Sequence, residues 1–157
     1  MSLLAVIRPH SWDFPLFLHV LGAMVMVGGF VLAITSLGSS VRNGQVSRLA
    51  FRALVYGALP GYLVMRVAAQ WIYSKEFPTP AHGPAPKDPS WVTTGFIVAD
   101  PNLLFLLIAM LLTGLGLRRA RRDGGGGGGM FRAATVLIAL VLVADLVAIW
   151  AMTTKPV

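Results

Sequence analysis

The 157-residue chain contains no cysteine. Disulfides, thiolate-ligated metals and thiol redox chemistry within it are therefore excluded. Charge is scarce as well, with Asp, Glu, Lys and Arg making up 12% of the residues, against about 25% in an ordinary soluble domain. Acidic residues are the scarcest, six against thirteen basic ones. Of the three histidines, His10, His19 and His82, only His19 lies inside an apolar stretch. A six-glycine run, Gly124–Gly129, lacks the Lys and Ser/Thr of a phosphate-binding loop and has no strand before it, so it reads as a flexible linker.

What is present in excess is apolar sequence, 56% of the chain. It falls into four segments at about 14–37, 54–73, 96–117 and 130–152. Each reaches the roughly 20 residues needed to cross a hydrocarbon core about 30 Å thick, and a chain crossing lipid must satisfy its backbone internally as helix. The first segment is too long for a signal-peptide apolar region and reads as a mature span. The expected fold is all-α: one domain, residues 1–157, forming an integral membrane up-down four-helix bundle.

Charge orients it. Arg42, Arg48 and Arg52 lie between spans one and two, and Arg118, Arg119, Arg121, Arg122 and Arg132 lie between spans three and four. The positive-inside rule puts both loops in the cytoplasm and both termini outside. Trp12, Trp71, Trp91 and Trp150 all fall at the expected outer ends, where indole rings settle among headgroups. The net charge of +7 is thus spent on topology and anionic headgroups. It argues for a lipid bilayer as partner and against nucleic acid.

The outer loop 74–95 holds Pro78, Pro80, Pro84, Pro86 and Pro89 and reads as an extended excursion rather than a helix. His82 within it reads as an exposed imidazole, or as a lid residue over the outer mouth. Asp100-Pro101 has the form of an N-cap and first turn for span three, as Asp13 with Pro15 does for span one. Pro60-Gly61 inside span two predicts a kink.

Three residues that hydrocarbon should reject lie within spans: His19, Arg66 and Asp145. Counting inward at about 1.5 Å per residue places each roughly 8–11 Å below the outer end of its helix. Such residues pair, face the protein interior and mark functional sites. Arg66 and Asp145 are the expected ion pair. Tyr62, Arg66, Gln70 and Tyr73 share a helical face, and His19, Gly22, Met26 and Gly29 share another, whose glycines admit a neighbouring helix or a flat ligand.

Two cofactors suit this set. Haem b would take His19 as axial ligand, use the Gly22 face and pair a propionate with Arg66; its sixth position would fall to Met152, Met26, His82, His10 or water. A quinone would bond His19 and Tyr62 or Gln70. Met24 and Met26 do not chelate one ion, because helical residues two apart diverge.

The segment Leu18-His19-x-Leu21-Gly22 followed by Gly28-Gly29 resembles the first helix of the bacterial copper-resistance D-type permease domain and related uncharacterised four-helix integral membrane proteins. It is also similar to the haem-binding membrane protoporphyrinogen oxidase type. The resemblance covers about one sixth of the chain. It implies a bacterial inner-membrane location and makes His19 a haem or metal ligand. Three functions are therefore expected in turn: a small redox or cofactor-binding membrane protein, an accessory or assembly subunit of a larger membrane complex, and a permease working as a homo-oligomer.

Overall fold

A computed structural model of the chain describes residues 13–43, 48–76, 97, 100–122 and 127–153. These are almost wholly helical, with no strand among them. Helix α1 is Asp13–Asn43, α2 is Leu49–Ala53, α3 is Leu59–Glu76, α4 is Asn102–Arg122 and α5 is Gly128–Thr153. A π-helical turn, Leu54–Ala58, joins α2 to α3 without a break, so 49–76 is one rod.

Three of these helices, Asp13–Asn43, Asn102–Arg122 and the Gly128–Trp150 part of α5, are long and apolar enough to cross a membrane. Their surfaces are inverted relative to a soluble protein. Phe17, Met24, Leu111, Val136, Leu140 and Val143 are all exposed, and so much contiguous apolar surface suits contact with lipid rather than water. The expected span 54–73 falls within the 49–76 rod, which the π turn divides and which carries Arg66 and Gln70. Hydroxyls in the apolar helices are satisfied locally: Thr113 donates to the Ala109 carbonyl at 2.7 Å and Thr135 to the Phe131 carbonyl at 2.8 Å.

Just before Pro60-Gly61, where a kink is expected, the helix carries the π turn Leu54–Ala58. Pro60 has no N–H for the carbonyl of Tyr56, four residues back, and its ring crowds that carbonyl. The wider turn relieves the clash, and Leu59 N–H bonds the Leu54 carbonyl, five residues back.

Helix α1 is the centre of the packing, with the 49–76 rod on one side and α5 on another; α4 packs on α5. The α2 segment and the π turn also touch α4, whereas α3 packs chiefly on α1. The helices therefore close together at the arginine-rich end and lean on fewer neighbours at the other. Phe30, Met26, Leu54, Leu106, Ile138 and Val141 form the buried core.

The contact of α1 with the rod is backbone against backbone. A Cβ added at Gly22 would lie 2.5 Å from the Met65 nitrogen, one at Gly29 2.5 Å from the Ala58 nitrogen, and one at Gly61 2.5 Å from the Met26 nitrogen. Small residues allow this approach in lipid, where dispersion contacts rather than water exclusion join helices. At the α4–α5 turn, Gly127 has φ +116° and backs onto the Gly116 carbonyl, while the Phe131 ring lies against Gly116. The end of the glycine run is thus specific structure: Gly127 takes a conformation other residues resist, and Gly128 and Gly129 begin α5.

Candidate functional site

Three interhelical polar contacts lie at one end of the molecule. On α1, the half-buried His19 places Nδ1 3.1 Å from the backbone carbonyl of Met65 on α3. The carbonyl can only accept, so Nδ1 is the donor in this contact. The close approach at Gly22 is what brings α3 within reach of the imidazole.

Arg66, one residue further along α3, forms its ion pair with Asp100 at the entry to α4. This corrects the expected Arg66–Asp145 pair. The reason is the order of packing: the 49–76 rod packs on α1 and, through α2 and the π turn, on α4, so α4 rather than α5 is its second neighbour and supplies the carboxylate. The capping role expected for Asp100 is corrected by the same contact. Its carboxylate is committed to Arg66, and the first helical bond of α4 runs from Phe105 N–H to the Pro101 carbonyl at 3.2 Å. The Arg66 and Asp100 side chains retain 28% and 57% exposure, so this pair is partly solvated.

Asp145 is buried on α5, and its Oδ1 accepts from Asn102 Nδ2 at 2.6 Å. Asn102 is buried in turn, in the first turn of α4. The other carboxylate oxygen of Asp145, Oδ2, and the single amide oxygen of Asn102, Oδ1, are enclosed and have no hydrogen-bond donor among the described residues. Sequence reasoning missed Asn102. The available signal was an amide in the opening turn of an apolar segment, directly after Asp100-Pro101, where it is easily taken for another helix-start residue.

Tyr62 is buried on α3 and lies within the electrostatic field of Arg66, Asp100 and Asp145. Gln70 is exposed, so the expected Tyr62–Arg66–Gln70 face runs from the interior to the surface. Gly22 and Met26 are buried against α3, and the glycine face of α1 is filled by Gly61 and Met65 rather than left open to a flat ligand. His10, His82, most of the 74–95 loop and the side chains of Tyr73 and Met152 lie outside the described residues. No group of three or more His, Asp or Glu side chains suited to a metal ion occurs among the described residues.

No family model, curated protein or solved structure matches the chain. The chemistry must be read from the residues. Two polar pairs, Arg66–Asp100 and Asn102–Asp145, lie toward one end, and two buried oxygens of the second pair have no donor among the described residues. Oxygens of this kind can accept a hydrogen bond from a hydroxyl or N–H group.

Proposed function

We propose that the chain is a multi-pass protein of a bacterial plasma membrane, an up-down four-helix bundle with both termini outside, and that its outer polar site binds a quinol in a redox role. The observation that carries this reading is the pair of donor-less buried oxygens, Asn102 Oδ1 and Asp145 Oδ2. A buried polar atom without a partner is unfavourable by about 1–3 kcal/mol. A ring bearing hydroxyl groups would satisfy both, and its isoprenoid tail would run into lipid. The exposed Trp71 and Trp150, near the C-terminal ends of α3 and α5, support that end as an interfacial one. The many arginines at the opposite end support it as the cytoplasmic one.

Haem b has less support. With Nδ1 donating to Met65, Nε2 would be the ring nitrogen left to bind a metal. The glycine face that would have admitted the macrocycle is, however, occupied by the backbone of α3.

Organic extraction of the purified chain, with absorption spectra before and after reduction, tests the reading. Quinone is expected in the wild type and should be lost in Asn102→Leu and Asp145→Leu variants that remain folded. A Soret band abolished by His19→Ala, with no extractable quinone, would replace this reading by the haem one.

A further inference from the structure

At the arginine-rich end, a groove of about 600 Å³ opens between the start of the 49–76 rod and the last turns of α4. Arg48 and Arg52 stand on one wall, four residues apart and so on one helical face. Arg118, Arg121 and Arg122 stand on the other, again at i, i+3, i+4 spacing. Among the described residues no acidic side chain lines the groove, and none of these guanidinium groups is in an ion pair. Like charges at helical spacing repel, so five guanidiniums lining one groove, with no ion pair to an acidic side chain among the described residues, favour an anion between them.

The floor is apolar. The Phe51 ring rests against Gly114, where a Cβ would come within 3.4 Å of it, and Leu117 and the exposed Tyr56 continue the surface along the helices. A ligand fitting both parts has phosphate at one end and hydrocarbon at the other. Guanidinium is the side chain best matched to phosphate, through paired N–H donors.

We propose that this groove is a binding site for an anionic phospholipid, best matched by one carrying two phosphates, with its headgroup between the two arginine walls and an acyl chain along Tyr56 and Leu117. The site is independent of the quinol reading and lies at the other end of the helices. Arg119 is excluded from it: it lies between Arg118 and Arg121 in sequence but does not line the groove. That separates a built site from general surface charge.

The test uses the full chain in neutral detergent, incubated with diphosphatidylglycerol or with phosphatidylcholine, and native mass spectrometry to count retained lipid. Diphosphatidylglycerol should be retained and phosphatidylcholine should not. Arg52→Gln and Arg118→Gln should each weaken retention about fivefold, with unfolding temperature unchanged, while Arg119→Gln leaves retention intact. Inorganic phosphate in excess should not displace the lipid. Equal retention of the two lipids, equal losses in all three variants, or displacement by inorganic phosphate would each overturn the assignment, the last by making free phosphate the occupant.

Discussion

Asn102 donates to Asp145 at 2.6 Å across the α4–α5 contact, and each is left with one enclosed oxygen that no donor reaches. The two residues therefore depend on each other. Removing Asn102 strands the carboxyl; removing Asp145 strands the amide.

Asn102→Leu and Asp145→Leu are each expected to lower stability, and the double substitution to lower it by less than the sum. Interhelical polar contacts in membrane proteins are worth between about 0.5 and 2 kcal/mol, which sets the expected coupling. A double-mutant cycle followed by unfolding in detergent measures it. Strictly additive losses would show that the pair is not coupled.

The Arg66–Asp100 pair should behave differently. Both side chains are partly exposed, so a cycle of Arg66→Leu and Asp100→Leu is expected to show coupling of only about 0.2–1 kcal/mol, shrinking with added salt. The cycle of Arg66 with Asp145 should be additive. Coupling that is larger for Asp145 than for Asp100 would contradict the observed pairing.

Glycines on α1 should divide sharply. Gly22→Ala would set a methyl group 2.5 Å from the Met65 nitrogen and 2.8 Å from the Gly61 carbonyl oxygen. Backbone cannot rotate aside as a flexible side chain can, so α1 and α3 must separate, with a destabilisation of about 1–3 kcal/mol. Gly28→Ala meets nothing within 4 Å and should be neutral or stabilising by up to about 1 kcal/mol through helix propensity. Thermal unfolding of the two variants side by side is the check.

The glycine run offers a parallel contrast. Gly127 has φ +116° and a would-be Cβ 2.6 Å from the Gly116 carbonyl oxygen, so Gly127→Ala is expected to destabilise the α4–α5 turn by at least about 1–2 kcal/mol. Gly128→Ala, in the open first turn of α5, should not. Equal effects would indicate that the turn is not built as described.

The apolar helices and their polar residues were legible in the sequence because both are local properties. A run such as 130–152 carries its own evidence for a helix suited to lipid, and counting residues along it assigns a depth to Asp145. The stripe Gly22, Met26, Gly29 was legible in the same way, as a face whose two glycines allow close approach. The occupant of that face was not. Gly61 and Met65 fill it because the rod leans on α1 along its length, and a stripe on one helix says nothing about which neighbour meets it.

The sequence by itself determined that this chain is helical, apolar in long segments and polar at one shared level, since helix period and hydrophobicity act within a few turns. Only the tertiary structure decided the partners: Asp100 rather than Asp145 for Arg66, Asn102 for Asp145, and the Met65 carbonyl for His19. Partner choice follows from the order in which helices pack around α1. That order is set by contacts between residues dozens of positions apart, which no local pattern encodes.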